Sequence, residues 1–140
     1  MENLKEKITV KTTVNKPINE VWKSWTLPKN IVNWTFASID WHSPEAENDL
    51  KIGGKFRTRM EAKDGSMGFD FEGKYTNVEL HKIIEYVLED GREVLISFED
   101  LNENTLITET FDPETVNSLE MQKDGWQAIL NNFKKYTESL

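Results

Sequence analysis

The chain has 140 residues and a mass of 16.3 kDa, so we expect one domain spanning residues 1–140. Hydrophobic residues make up 37% and aromatic residues 11%, which is enough to build a core and excludes global disorder. The net charge of −8 repels phosphate backbones, so we expect no nucleic-acid partner. With no cysteine and two histidines, the chain lacks disulfides, thiolate metal sites and a cysteine nucleophile, and we expect no metal or cofactor.

The hydrophobic runs of the chain predict where it resides. Residues 1–7 are charged and contain no apolar stretch that would direct export. No apolar run approaches the length of a membrane span. We therefore expect a soluble, cytoplasmic protein without a membrane partner. The sequence leaves the oligomeric state open, and a homodimer is compatible with it.

The first elements are a predicted strand and two predicted short helices. Residues 7–14 alternate between apolar and polar side chains, which is typical of a strand with one wet face. Pro17 suits the first turn of a helix, where its missing N–H is not needed. One helical stripe follows, made of Ile18, Val21, Trp22 and Trp25. After Pro28, the spacing of Ile31 and Trp34 predicts a second short helix.

The middle of the chain consists of predicted strands separated by polar turns. The clearest strands are 55–62, 67–78, 83–88, 93–99 and 105–111. Residues 36–42 form a further candidate strand. Residues 43–49 are predicted as a loop because they are polar and include Pro44. The pair Asp90 and Gly91 predicts a hairpin between two of these strands.

The alternation within these strands predicts which side chains share a face. A tight turn at 63–66 places one set together, namely Phe56, Thr58, Met60, Phe69 and Phe71. The opposite face then carries Arg59 and Asp70, which we interpret as a cross-strand ion pair, with a polar clamp for a ligand as the alternative. For strand 105–111 the inward face stays open. Leu106, Thr108 and Thr110 compete with Ile107, Glu109 and Phe111.

The C-terminal segment changes to a helical period. Asn117 and Glu120 have the spacing of a capping box. A long apolar stripe follows, consisting of Leu119, Gln122, Trp126, Ile129 or Leu130, Phe133 and Tyr136 or Thr137. Gly125 interrupts this stripe, and a glycine there costs about 1 kcal/mol against alanine. We therefore expect either a close approach by another element or a bend at Gly125.

The order of elements predicts an α+β architecture. A meander of antiparallel strands has one hydrophobic face, and the last helix is the only large element available to cover it. The sheet must then curl around the C-terminal helix. A curled sheet of this kind tends to leave an apolar hollow between sheet and helix, where a small molecule can bind.

Several motifs resemble those of the START-like (SRPBCC) superfamily, within it the branch named after the heat-shock ATPase-activator homologues (AHSA). They are PINEVW at 17–22, WHSP at 41–44, DLKIGGKF at 49–56, GFDFEGKY at 68–75 and FDPE at 111–114. Single tryptophans at 34 and 126 complete the resemblance, which covers about residues 8–138. It implies the helix-grip fold, in which a curled antiparallel sheet wraps around a long C-terminal helix and two short helices follow the first strand. Members of the superfamily are similar in shape and differ in what they bind.

The favoured functional hypothesis is non-enzymatic binding of a small apolar or aromatic molecule in the hollow between the sheet and the C-terminal helix. The candidate ligand-binding residues are Trp41, Phe56, Met60, Phe69, Phe71, Tyr75 and Trp126. Ordinary core packing is the competing interpretation for the tryptophans, and we favour it for Trp22. His81 lies in a predicted turn and is expected to be solvated.

Two alternatives follow from the same resemblance. A cyclase or hydrolase acting on a polyketide-like substrate would need a general base, and His42 is the one weak candidate for a catalytic residue. Its carboxylate partners by sequence are Glu45, Glu47 and Asp49, although local hydrogen bonding of His42 is the simpler interpretation. The second alternative is a protein-interaction module that activates a heat-shock chaperone ATPase.

Overall fold

The computed structural model describes residues 6–140. Most of the charged segment 1–7, on which the prediction of no export signal rests, lies outside this range. The elements in chain order are β1 (Ile8–Val14), α1 (Ile18–Thr26), α2 (Pro28–Ile31), β2 (Trp41–Asn48), β3 (Lys55–Ala62), β4 (Gly68–Glu79), β5 (Ile83–Leu88), β6 (Glu93–Asp100), β7 (Thr105–Phe111) and α3 (Leu119–Glu138). The predicted order of elements is therefore confirmed.

The strands form one antiparallel sheet of seven strands in the order β1-β7-β6-β5-β4-β3-β2. Strands β2 to β7 make a meander of neighbouring hairpins, and β1 pairs with β7 over its whole length. The sheet curls around α3, with the two short helices following β1, so the predicted α+β helix-grip fold is confirmed. This curl gives the sheet a concave face toward α3 and a convex face toward solvent.

The core lies where α1, α2 and α3 meet the concave face. Trp25 and Trp34 each lie with ring centroids 4.8 Å from Phe133, which is fully buried on α3. Trp22 packs edge-on against Phe98, at 5.1 Å, and is 6% exposed, which agrees with its predicted place in the core. Aromatic pairs of this kind stabilise the fold beyond what the burial of their apolar surface contributes, and here they pack α1 against α3 and against the sheet.

Strand β2 corrects the sequence prediction for residues 36–49. The strand runs from Trp41 to Asn48, so it includes only the last two residues of the candidate strand 36–42 and most of the predicted loop 43–49. Pro44 is tolerated because β2 is an edge strand and its pairing with β3 skips from His42 to Glu45. The Ser43 hydroxyl in this irregularity donates to the carbonyl of Thr35 at 2.6 Å.

Helix α3 differs from the prediction at its start and in its middle. Its N-cap is Ser118, whose hydroxyl accepts the amide of Met121, so the capping box at Asn117 is wrong by one residue. Leu119 is 46% exposed and lies off the buried stripe. A Cβ built at Gly125 would meet nothing within 4 Å, so no element approaches closely there, and the helix runs on through this residue.

His81 is the other residue whose surroundings differ from the prediction. It lies in the β4–β5 turn with a φ of 63°, and its ring is 5.7 Å from the ring of Trp22 in an edge-on arrangement. The side chain is therefore half-buried against the core rather than fully solvated.

Candidate functional site

A cavity of about 380 Å³ lies between the concave face of the sheet and α3. Its wall is mostly apolar and aromatic, and the cavity is partly open to solvent. The aromatic part of the wall comprises Trp25, Trp34, Phe56, Phe69, Phe71, Tyr75, Tyr86 and Trp126. The volume falls in the range of small-molecule sites, roughly 300–1,000 Å³.

The β3–β4 hairpin supplies one wall of the cavity through its register. Met60 lies opposite Phe69 and Thr58 opposite Phe71, as the alternation predicts. Phe56 lies opposite Gly73, and a Cβ built at Gly73 would come within 2.9 Å of the Phe56 ring. The missing side chain at Gly73 therefore leaves room for the Phe56 ring beside it.

Trp126 forms the wall on the side of α3. Its ring stacks on Phe111 of β7, with centroids 3.8 Å apart and planes 15° apart, and lies edge-on to Phe71 at 6.2 Å. Gly125, the residue before it, has open space in place of a side chain. Trp126 thus contacts two strands of the sheet from α3, namely β7 through Phe111 and β4 through Phe71.

The structure brings together six of the seven predicted ligand-binding residues. Phe56, Met60, Phe69, Phe71, Tyr75 and Trp126 all line the cavity. Trp41 is the exception, because it lies outside the wall, with its ring 6.1 Å from the half-exposed ring of Phe69. A contact between any of these residues and a ligand stays a prediction.

Sequence reasoning missed other parts of the wall. Trp25 and Trp34 contribute both to the core and to the cavity, and Tyr86 contributes from β5. Alternation within β5 places Tyr86 on the same face as the buried Ile84, so this signal was present in the sequence. Glu109 was missed for a different reason, because the inward face of β7 was left open.

The structure decides that face in favour of Ile107, Glu109 and Phe111. Glu109 is 6% exposed and lines the cavity. It is paired in register with Val10 on β1 and Ile96 on β6, both buried. Burial raises the pKa of the Glu109 carboxyl to about 8. A strongly shifted carboxyl that lines a cavity is a candidate functional group.

Most other polar groups of the wall have partners within the protein. The Tyr75 hydroxyl donates to the side-chain oxygen of Asn48, whose amide donates to the carbonyl of Thr26 at 2.7 Å. Burial raises the pKa of Tyr75 well above its usual value. This short chain of hydrogen bonds holds the β4 wall to β2 and to the end of α1.

Two further charged groups of the wall are also paired. The Arg92 guanidinium donates to the Asp90 carboxylate at 2.8 Å. The Glu114 carboxylate accepts the backbone amide of Asn117 at 2.7 Å, and this bond contributes most to lowering the pKa of Glu114. Both groups are therefore positioned by local turns before a ligand arrives.

His42 lies away from the cavity. Its Nε2 is 3.6 Å from a carboxylate oxygen of Glu61, which is its cross-strand neighbour on β3, and its side chain is half-exposed. The partners predicted from sequence are wrong, since Glu45 and Glu47 each lie 3.1 Å from Arg57 instead. The cyclase or hydrolase alternative relied on this histidine, and the cavity wall does not include it.

The convex face of the same strands carries an ion-pair network. Arg59 and Asp70 are directly opposite each other, with 3.5 Å between charged atoms, as predicted. Both are partly exposed, so we assign this pair a surface role. Within residues 6–140, no group of three or more histidine or acidic side chains is arranged to hold a metal ion.

Comparison with known proteins places the chain in a family. The family described as "Activator of Hsp90 ATPase homolog 1-like protein" matches residues 15–138. The chain belongs to this family. No curated protein is a significant match to it.

Solved structures of similar proteins agree with this family. An AHSA1-like protein from Aeromonas hydrophila, solved by NMR, is 43% identical with a TM-score of 0.90, covering 96% of this chain and 93% of that one. A protein from Cytophaga hutchinsonii is 54% identical with a TM-score of 0.82, covering 95% and 92%. A protein from Nitrosomonas europaea is 18% identical with a TM-score of 0.80, covering 95% and 94%, and shows the shared fold alone.

The AHSA1-like fold belongs to the START-like superfamily and typically encloses a pocket for a ligand. Among the described residues of this member, no helix is both long and apolar enough to cross a membrane.

Proposed function

We propose that this AHSA1-like protein binds a small hydrophobic or aromatic molecule between the sheet and α3, without transforming it. The observation that carries the proposal is the cavity of about 380 Å³ with its aromatic wall. Flat rings on three strands, β3, β4 and β5, and on two helices, α1 and α3, offer a ligand offset-stacked and edge-on contacts.

The apolar wall sets the expected affinity. A flat ligand that buries about 200 Å² of apolar surface gains about 5 kcal/mol from leaving water. Loss of translational and rotational freedom opposes binding, while a preformed wall keeps the cost of ordering low. Since a gain of about 5 kcal/mol corresponds to a dissociation constant of about 0.2 mM before this cost, we expect millimolar dissociation constants for fragments, with tighter binding for the cognate molecule.

The direct test is a metabolite screen by thermal shift, with tryptophan fluorescence as a second readout. Trp126 lines the cavity, so a bound aromatic molecule should alter its emission. A blocking variant, Thr58→Phe, adds a ring at a buried wall position. Its matched control, Thr108→Phe, makes the same change on β7 at a partly exposed position outside the wall.

We expect Thr58→Phe to weaken binding of any hit at least tenfold and Thr108→Phe to leave it unchanged. The melting temperature of each variant without ligand shows whether it folds. Hits that bind the folded blocking variant as tightly as the original protein would show that they occupy another site, and the proposal would then be wrong.

The family supports a second candidate function, which is activation of a heat-shock chaperone ATPase. Three apolar residues near the start of α3 offer a contact surface: Val116 is 88% exposed, Leu119 46% and Met121 60%. We expect stimulation of an Hsp90-type ATPase that is lost in Val116→Asp combined with Met121→Asp. No stimulation at a large excess of the protein would contradict this candidate and leave ligand binding untouched.

A further inference from the structure

The Glu109 carboxyl stands out among the polar groups of the cavity. Its side chain is 6% exposed, and among residues 6–140 it has no hydrogen bond or ion pair. A carboxyl that borders a cavity and has no protein partner is only partly solvated, which lowers the stability of the folded protein. A ligand that supplies the missing partner would recover this free energy.

The other charged residues of the wall already have partners within the protein, so Glu109 is the one that a ligand could pair with. Glu47 is paired with Arg57, Arg92 with Asp90 and Glu114 with Asn117. The Tyr86 hydroxyl also has no hydrogen-bond partner within 6–140, and it lies on β5, two strands from Glu109. Among the described residues, the other polar wall groups without a hydrogen bond are the Thr58 hydroxyl and the indole N–H groups of Trp25 and Trp126. Of all these groups, the Glu109 carboxyl is the one carboxylic acid.

We propose that the cavity takes an organic cation, a flat apolar molecule carrying a basic amine whose ammonium pairs with the Glu109 carboxylate. This inference rests on the proposed ligand-binding function and names its ligand class. The ring of the ligand packs against Trp126 and Phe71, and its ammonium lies near the faces of aromatic rings, which attract cations.

Charge favours this class over the two nearest alternatives. An anionic ligand would bring a further negative charge to a wall whose ionisable acid and base residues are three glutamates, Glu47, Glu109 and Glu114, and one arginine, Arg92. A neutral ligand can form hydrogen bonds with the carboxyl but no ion pair, and hydrogen bonds between neutral groups are weaker than charge-assisted ones. The net charge of −8 also raises the local concentration of cations around the protein.

Binding of the ammonium is coupled to loss of a proton. In the empty cavity burial holds the Glu109 pKa at about 8, so the carboxyl is mostly protonated at pH 7. The ligand enters as the ammonium, the carboxyl releases its proton to solvent, and the ion pair forms. About one proton therefore leaves for each ligand bound well below pH 8, falling to about half a proton at pH 8, and affinity rises as pH increases from 6 to 8.

Two tyrosines and three charged residues are the other titratable groups of the wall around Glu109. Burial keeps Tyr86 on β5 and Tyr75 on β4 neutral over this range by raising their pKa values. Strands β1 and β6 present no titratable group beside it in register. The remaining charged residues of the wall are Glu47, Arg92 and Glu114, which are held in the ion pairs and hydrogen bonds given above.

The test compares two probes of one shape, 2-(aminomethyl)naphthalene and 2-naphthalenemethanol. Calorimetric titrations between pH 6 and 9, in two buffers of different ionisation enthalpy, give affinity and protons released. At pH 7.5 we expect the amine to bind at least tenfold more tightly than the alcohol, which is about 1.4 kcal/mol. Its affinity should level off above pH 8, with up to one proton released at pH 7.

Glu109→Gln keeps the size and shape of the side chain and removes the charge. In this variant the preference for the amine and the proton release should both disappear. The matched control is Glu99→Gln, which makes the same change at an exposed position on β6. It should retain both, and unfolding curves of the free proteins check that each variant folds.

Three results would overturn the inference. Equal binding of amine and alcohol, unchanged in Glu109→Gln, would leave a hydrophobic cavity without a cation preference. Tighter binding of the alcohol that weakens above pH 8 and depends on Glu109 would show the carboxyl donating to neutral ligands. Failure of both probes to bind at any pH would contradict the proposed function together with this inference.

Discussion

The buried carboxyl of Glu109 predicts an unusual dependence of stability on pH. Its pKa is raised from 4.5 to about 8 in the folded protein, with burial as the cause. Between these two values the folded state keeps a proton that the unfolded state has lost. The contribution of Glu109 to the free energy of unfolding therefore falls as pH rises from 4.5 to 8, and is constant outside this window.

The magnitude follows from the size of the shift. Each unit of pKa difference corresponds to about 1.4 kcal/mol, so the loss amounts to about 3 kcal/mol at pH 7 and about 5 kcal/mol at pH 9. Glu109→Gln removes this ionisation and keeps the side-chain volume. We expect the variant to match the original protein near pH 4.5 and to exceed its stability increasingly as the pH rises.

Urea unfolding from pH 4.5 to 9, followed by the fluorescence of the five tryptophans, measures this difference. Other carboxyls, such as Glu138 with its lowered pKa beside Lys134, contribute equally to both proteins and cancel. Glu99→Gln serves as the control at an exposed position and should show a flat difference. A flat difference for Glu109→Gln as well would refute the assignment of Glu109 as a buried, protonated carboxyl.

Three further substitutions test the backbone and helix ends by urea unfolding at neutral pH. Gly125→Ala should stabilise the protein by about 0.5–1 kcal/mol, because its Cβ meets open space; destabilisation would mean that another element does pack there. Gly73→Ala should destabilise by about 1–3 kcal/mol, because its Cβ would lie 2.8 Å from the carbonyl oxygen of Val87; an unchanged midpoint would show that the strands shift freely. Ser118→Ala should cost about 1 kcal/mol through loss of the hydrogen bond from the Met121 amide, and no loss would argue against Ser118 as the N-cap.

Local patterns predicted most of the architecture, because the signals for strand and helix are carried by neighbouring residues. The predicted bounds of β3, β5 and β7 are those observed. The hairpin of β3 and β4 also follows from its turn and alternation, and it supplies Phe56, Met60, Phe69 and Phe71 to the cavity.

Where the local signals were balanced, the prediction failed or stayed open. The polar composition of residues 43–49 and the presence of Pro44 led to the wrong prediction of a loop in place of β2. An edge strand with an irregular register tolerates both, because it needs neither an apolar face nor a hydrogen bond from every amide. The partner of His42 was sought nearby in sequence, whereas Glu61 faces it from the neighbouring strand. Both depend on which strands pair and in which register.

Composition and periodicity by themselves determined a sheet with one polar face, one long helix and an aromatic interior. The sheet follows from alternation every two residues, and the helix follows from apolar residues spaced three to four apart. Only the tertiary structure decided the inward face of β7, since Glu109 faces the cavity as a consequence of β7 lying between β1 and β6. The sequence of β7 is nearly symmetric between its two faces, and pairing with strands distant in sequence breaks that symmetry. The group on which the ligand class depends was therefore set by register over long range rather than by any local motif.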